Sequence, residues 1–386
     1  MATFSQNIST EIPVVIRGLT FDGEKGLFVH SHTEKQADIV FAPVKIGDDI
    51  ETISKVWKHQ FTEYCDSHKV YPAIIGVEGQ PFVFGLGTNY DEAFRSEGVS
   101  AIPVLPPSRS RSDVVRDKIA LVTGGAQGFG EGIVRSLSEL GSFVYIADMN
   151  VQGAKQLADS LNYEACITVA KALEVNVTDE DSVKAMLEEV SQETGGLDLF
   201  VSNAGVLRAG SVKTLSLKDF QFVTSVDYTG FFICSKFAAN LLALQNIPSK
   251  QYFTDLIAIS SKSGLQGSNK NGAYAGAKFG TLGLTQSFAL ELVEDNIKVN
   301  AVCPGNFLDG PLWSDPDRGL FVQYLAAGKV PGAKTVEDVR RFYESKVPMN
   351  RGCRTEDVIR AICYIVEQKY ETGQAIPVTG GQVMLN

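Results

Sequence analysis

Three residues stand at a spacing that could move a proton. Ser261 follows the apolar run DLIAIS, Tyr274 lies 13 residues further on, and Lys278 comes four after that in YAGAKFG. Residues at i and i+4 share one face of a helix. An ammonium held beside a phenol favours the tyrosinate form electrostatically. Such a tyrosine can give or take the proton of a carbinol or carbonyl oxygen, while a serine hydroxyl donates to the same oxygen and holds it. A Tyr/Lys pair alone is also an ordinary helix surface, so its meaning depends on what precedes it.

A second group of residues precedes it. Thr123-Gly124-Gly125-Ala126-Gln127-Gly128-Phe129-Gly130 joins an apolar run to a helical one, with Gly124, Gly128 and Gly130 in TGxxxGxG spacing. A turn this tight, with backbone approaching a pyrophosphate and a helix amino terminus offering N–H groups, calls for glycine. Asp148 ends the next apolar run; a carboxylate there can accept from both adenosine ribose hydroxyls and repels a 2′-phosphate, which favours NAD over NADP. Gln127 and Met149 offer no cation to such a phosphate. Asn176-Val177 stands at a third run's end, suited to the adenine edge. Asn203-Ala204-Gly205 stands at a fourth, where small side chains let a cofactor lie against the backbone.

These residues need elements to carry them. KIALVTGG (118–125), SFVYIAD (142–148), DLFVSNAG (198–205) and DLIAISS (255–261) read as buried strands. EGIVRSLSELG (131–141) and DSVKAMLEEVSQ (181–192) read as helices. The alternation predicts an α/β fold, a doubly wound parallel sheet. Ligands in such sheets sit at the carboxyl ends of the strands, which is where the residues above fall.

The composition break AIPVLPPSRSRS (101–112) reads as an exposed connector. It divides the chain into a small α+β domain over 1–112 and the α/β domain over 113–386. In the first part, VVIRGLTF (14–21) and GLFVHSH (26–32) suggest strands, residues 48–68 a helix, and 73–87 a hairpin. His30-Ser31-His32 is a candidate metal pair, but with only His59 and His68 besides, no metal site is assigned. A net charge of −10 argues against nucleic acid and against a polybasic membrane patch. No signal peptide or apolar span is expected. The six scattered cysteines read as reduced core residues of a cytoplasmic protein.

With TGGAQGFG, SNAG, ISS…YAGAK, VNAVCPG (299–305) and TGQAIPVTGG (372–381), the chain from 117 to 386 resembles the short-chain dehydrogenase/reductase family. The resemblance implies a Rossmann-type domain, hydride transfer between NAD and a substrate alcohol, a homodimer or homotetramer, Ser261, Tyr274 and Lys278 as the catalytic set, and Pro304-Gly305 framing the nicotinamide. Two positions depart from the family pattern. Val226-Asp227-Tyr228-Thr229-Gly230 stands where VNxxG is usual, placing a carboxylate, Asp227, beside Lys278 and partly offsetting its pull on Tyr274. Asp309 stands where a threonine often meets the carboxamide.

Residues 306–350 form a long lid segment. Phe307, Trp313, Phe321 and Tyr324 are candidate pocket walls, and Lys329, Lys334, Arg340, Arg341 and Lys346 are candidate phosphate contacts. NFLDGPLWSDP and GKVPGAKTVEDV resemble the sorbitol-6-phosphate 2-dehydrogenase subgroup, related to aldolase–dehydrogenase fusions. That implies a polyol or sugar-phosphate substrate, and QPFVFGLGTNYDEAF then resembles an aldolase remnant serving assembly. The motifs alone also admit a 3-oxoacyl-carrier reductase, or a regulator that senses NAD without turnover.

Overall fold

The computed structural model describes residues 2–96 and 113–384, apart from 318, 327 and 329. The connector expected at 101–112 and Lys329 lie outside the described residues.

The chain opens with helix α1 (Ile8–Leu19), strands β1 (Phe28–His32) and β2 (Ile39–Phe41), helix α2 (Ile50–His68), strands β3 (Ile74–Val77) and β4 (Val83–Gly87), and helix α3 (Tyr90–Arg95). The four strands form a mixed sheet in the order β1-β4-β3-β2, with β3 and β4 as the expected hairpin. The strand expected over 14–21 is instead the carboxyl half of α1. The reason is burial: Ile12 to Leu19 are all buried. A helix covered on every side shows a continuous apolar run, which periodicity cannot separate from a buried strand.

The second sheet has seven parallel strands in the order β11-β10-β9-β8-β5-β6-β7. They are β5 (Ile119–Thr123), β6 (Phe143–Asp148), β7 (Ala170–Glu174), β8 (Leu199–Ser202), β9 (Thr254–Ile259), β10 (Ile297–Pro304) and β11 (Ala375–Val378). One face carries α4 (Gly128–Glu139) and α5 (Val151–Ala165). The other carries α6 (Glu180–Thr194), α7 (Leu217–Thr224), α8 (Gly230–Asn246), the short α9 (Lys262–Leu265) and α10 (Gly272–Leu292). A helical segment follows β10, built of α11 (Pro311–Ser314), α12 (Leu320–Ala326) and α13 (Val336–Glu344); α14 (Thr355–Glu367) then packs beside α4. The chain runs outward from β5 to β7 in one direction and from β8 to β10 in the other. The topological switch point therefore lies between β5 and β8, where a ligand crevice opens.

The first sheet is welded to the second at the end remote from that crevice. Arg17, 1% exposed, donates from Nη2 to both carboxylate oxygens of Asp198, at 3.0 and 2.8 Å. Asp198 also accepts from the Ile119 N–H at 2.7 Å and from the Tyr252 hydroxyl. Asp198 precedes β8, Tyr252 precedes β9, and Ile119 begins β5, so this knot ties the amino ends of three adjacent strands. Val14, Phe28, Tyr90 and Ala93 join the same buried cluster as Ile119, Phe143 and Phe200. Burial pushes the Asp198 carboxyl upward, but Arg17, then Lys118, outweighs it and holds the group below its usual range.

Removing one partner of a buried pair leaves an unpaired charge. Arg17→Leu should therefore lower unfolding stability by about 3–5 kcal/mol, read as a shift in denaturant midpoint. Arg17→Leu/Asp198→Leu should cost less than the two single changes summed. Because the folded carboxyl is depressed, the wild type should lose this stabilisation as pH falls through the acid range, and Asp198→Leu variants should not. Additive single and double costs would contradict the pairing.

Candidate active site

Each strand's carboxyl end delivers a residue to the crevice. At β5, Gly124 has φ +63°, and a Cβ on Gly130 would lie 1.9 Å from the Gly124 carbonyl oxygen. Only glycine lets the loop fold this closely onto the first turn of α4. The amino-terminal residue of α4, Gln127, makes no side-chain cap. The first-turn N–H groups are thus available to a pyrophosphate.

The loop is pinned from two sides. The Ala126 N–H donates to Asp148 Oδ2 at 3.0 Å, and the Asn150 N–H to Oδ1 at 2.9 Å. Each Asp148 oxygen keeps a lone pair for a ribose hydroxyl. On the other side, the Asn203 amide nitrogen donates to the carbonyls of Thr123 and Gly124 at 3.0 and 3.1 Å. The backbone N–H groups of Asn203 and Ala204 donate to Thr123 Oγ1. Thr123, given no role by its type alone, is the post on which the switch point is hung. Gln127 and Met149 are exposed. Asn176 folds its side-chain oxygen back on Thr178, and Val177 is buried against Gly230, so their side chains are engaged locally. These residues fit a nicotinamide dinucleotide: open backbone donors, a carboxylate at the second strand end and small residues at the fourth.

The acid/base end lies beyond β8. Tyr274 and Lys278 share one face of α10, the ammonium 5.6 Å from the phenol ring centroid. Ser261 Oγ accepts the Ser263 N–H at 3.1 Å, which leaves its own proton to donate. The Lys278 ammonium, 4% exposed, donates to the Ile259 carbonyl at 3.0 Å and faces Asp227 Oδ2 at 3.5 Å. Pro304 ends β10 opposite Val378 of β11, with the Gly305 N–H donating to the Val378 carbonyl at 2.9 Å.

Asp227 sits in a turn of π-helix, Ser225–Thr229, between α7 and α8. Such a widened turn commonly marks a functional position. Its carbonyl accepts from the Thr281 hydroxyl at 3.2 Å, its Oδ1 accepts the Val206 N–H at 2.7 Å, and its Oδ2 has no hydrogen-bond partner. Burial holds the Asp227 carboxyl above the usual carboxylate range against the pull of Lys278. Burial lowers the Lys278 ammonium, but Asp227, then Tyr274, outweighs it and raises its pKa. The carboxylate beside the lysine expected from the sequence is therefore in place.

The side chains of the segment expected to form a lid depart from expectation. Trp313 and Phe321 are buried with Val339 in a separate small core of this segment, and Tyr324 packs on Trp313. Only Phe307, of the four aromatics, reaches the nucleotide loop, stacking on Phe129 with centroids 4.4 Å apart. Arg340 is taken up by Asp309 and Glu344, and Arg341 by Asp338. Asp309 thus ties the loop after β10 to α13. His30 and His32 meet the carbonyls of Glu193 and Ala93, and among the described residues no group of three or more His, Cys, Asp or Glu side chains could hold a metal ion.

A family model described as short chain dehydrogenase matches residues 118–314. Sorbitol-6-phosphate 2-dehydrogenase of Escherichia coli (strain K12) is 36% identical over 270 residues, covering 69% of this chain and 99% of that protein. The 3-oxoacyl-[acyl-carrier-protein] reductase FabG of Thermotoga maritima is 30% identical over 69% of this chain and 98% of that protein. The crystal structure of sorbitol-6-phosphate 2-dehydrogenase SrlD from Erwinia amylovora is 37% identical, with a TM-score of 0.63 over 69% of this chain and 100% of that one.

Replacing Asp227 by Asn keeps an acceptor for Val206 and removes the charge that offsets Lys278. Turnover by Asp227→Asn near neutral pH should rise by roughly threefold to tenfold, a pKa unit being worth tenfold. As pH falls and the raised Asp227 carboxyl of the wild type becomes neutral, the two pH–rate profiles should converge. A clear loss of turnover in the variant would overturn the assignment.

Proposed function

The chain belongs to the short-chain dehydrogenase family, and on that premise we propose that it transfers hydride between NAD and a secondary hydroxyl of a polyol or sugar phosphate. Sorbitol 6-phosphate going to fructose 6-phosphate is the first substrate to test. The observation that supports the reading is the placing of Ser261 after β9, on one side of the switch point, and of the glycine loop and Asp148 at the ends of β5 and β6, on the other. The substrate class is supported by the relatives named above, and NAD by the Asp148 carboxylate.

In this reading Tyr274 takes the hydroxyl proton during oxidation, and Ser261 donates to the same oxygen as the carbonyl forms. Bound NAD supplies the hydride acceptor. Lys278, anchored on the Ile259 carbonyl, stabilises the phenolate and keeps N–H groups for the ribose side of the cofactor. Asp227 lies on the far side of Lys278 from Tyr274 in charge terms, competing for the same ammonium. Members of this family are typically oligomeric, and we extend the reading to a cytoplasmic homo-oligomer with its cysteines reduced. The division near residue 112 and the lid over 306–350 belong to the same reading, since the relatives cover 69% of the chain.

Purified protein should form NADH from NAD and sorbitol 6-phosphate, and Tyr274→Phe should lower kcat by at least about 100-fold, the scale of one general acid/base. Oxidation of NADPH by an acetoacetyl thioester without polyol-phosphate turnover would favour the carrier-reductase reading. Binding of NADH with no turnover of either would favour a sensor. Asp148→Ser should shift the NAD-to-NADP ratio of kcat/KM towards NADP by about tenfold or more, since a repulsive carboxylate is removed from the 2′-position. An unchanged ratio would remove Asp148 from cofactor choice.

A further inference from the structure

Phe129 and Phe307 stack with their centroids 4.4 Å apart and their planes 18° apart. Phe129 is the second residue of α4, between Gly128 and Gly130 of the pyrophosphate loop. Phe307 comes from the loop after β10, two residues beyond Gly305. Its seat depends on Gly310, where a Cβ would lie 2.5 and 2.9 Å from two carbons of the Phe307 ring. Both rings are only half-buried, so part of the pair's surface is left for a ligand.

The layers of the fold decide which part of a dinucleotide meets this pair. The sheet order β9-β8-β5-β6 puts Asp148, at the end of β6, and Ser261, after β9, on opposite sides of the glycine loop. With the adenosine ribose on Asp148 and the pyrophosphate on the first N–H groups of α4, the nicotinamide half runs towards β9. There Tyr274 arrives on α10, from one face of the sheet. Phe129 arrives on α4, from the other face, packed against the cluster that holds Ile133, Val134 and Leu137. A flat ring that turns one side to the carbon reacting beside Tyr274 turns its other side towards α4.

The two oxidation states of that ring differ in charge. Oxidised nicotinamide is a pyridinium cation. Hydride transfer from the carbinol carbon to its C4, with the hydroxyl proton passing to Tyr274, leaves a neutral dihydropyridine. The face of a phenyl ring is negative and attracts a cation within about 6 Å of its centroid. The carboxylate of the same loop, Asp309, is already engaged by Arg340.

Resting on the reading of a bound nicotinamide dinucleotide, we propose that Phe129 and Phe307 form a face for the nicotinamide ring and bind its oxidised, cationic form in preference to the reduced one. The pair favours the cofactor state that oxidises an alcohol and eases departure of the reduced product. It does so without touching the substrate.

The test is binding in the absence of substrate. Dissociation constants for NAD, NADH and ADP-ribose (which keeps adenosine and pyrophosphate but has no nicotinamide) are measured by calorimetry on the wild type, Phe129→Leu, Phe307→Leu and Phe129→Tyr. Leucine keeps apolar bulk and removes the negative ring face. Each leucine variant should weaken NAD by about threefold to tenfold, the scale of one cation–π contact, and NADH by less, so that the preference for NAD shrinks. Phe129→Tyr should keep the wild-type ratio. ADP-ribose should bind all four proteins alike, which separates contact with the ring from upkeep of the loop and from misfolding. An unchanged NADH-to-NAD ratio in both leucine variants overturns the proposal and leaves the cofactor reading standing. Equal weakening of all three ligands also overturns it, and assigns the stack to the loop alone. If the wild type binds neither NAD nor NADH, NADP and NADPH carry the same comparison; if none of the four binds, the cofactor reading falls and the proposal with it.

Discussion

A buried ammonium must find acceptors or give up its charge, and the way Lys278 meets that demand organises the catalytic end. Its partners come from two elements far apart in sequence: the Ile259 carbonyl at the end of β9, which accepts its hydrogen bond, and the Asp227 carboxylate, an ion pair at 3.5 Å in the π-turn between α7 and α8. Its own helix, α10, is locked to the same turn by the Thr281 hydroxyl on the Asp227 carbonyl, and to β9 by the Ser260 hydroxyl on the Lys278 carbonyl at 3.2 Å. Displacing any one of these would leave a buried charge unanswered, so strand, turn and helix are held in one arrangement. Tyr274 and Ser261 are placed as a consequence, each one step along an element that Lys278 has already fixed.

The cost of that arrangement falls on Asp227. Its Oδ2 is buried without a hydrogen-bond partner, and a half-satisfied carboxylate in a dry site is expensive. Gly205 keeps the space tight: a Cβ there would lie 3.3 Å from Asp227 Oδ2 and 3.4 Å from the Lys278 ammonium. The site therefore leaves little room for a side chain to relax. A tyrosine whose supporting cation is shared in this way depends more on pH than one beside a neutral amide.

How far the sequence exposed this follows from the range of the interactions. The strands ending in Gly124, Asp148, Asn203 and Ser261 were legible because each is a short apolar run closed by a residue with a local conformational signature. The family resemblance over 117 to 386 had the same source. Segment 14–21 was misread because α1 is covered on all sides and so lost its periodicity. Arg17 could not be matched to Asp198 because 181 residues separate them, and nothing local to either announces a buried ion pair. The lid aromatics were recognised as a group, but composition does not say whether aromatics wall a pocket or pack on each other.

The two ends of the sheet consequently do different work. A five-residue strand spans about 17 Å, so the Arg17–Asp198 knot at the amino ends of β5, β8 and β9 is remote from the crevice at their carboxyl ends. The first sheet can stiffen the strands on which Thr123, Asn203 and Ser261 stand without entering the chemistry. The segment after β10 is tied at the opposite end by weaker means: a stacked pair, Phe307 on Phe129, and a partly exposed ion pair, Asp309 with Arg340. Partly exposed ion pairs contribute little net stability, whereas a buried pair resists being broken. The molecule is thus tied by a buried pair at the amino ends of the strands and by partly exposed contacts at their carboxyl ends, where Phe307 stacks on Phe129 of the glycine loop.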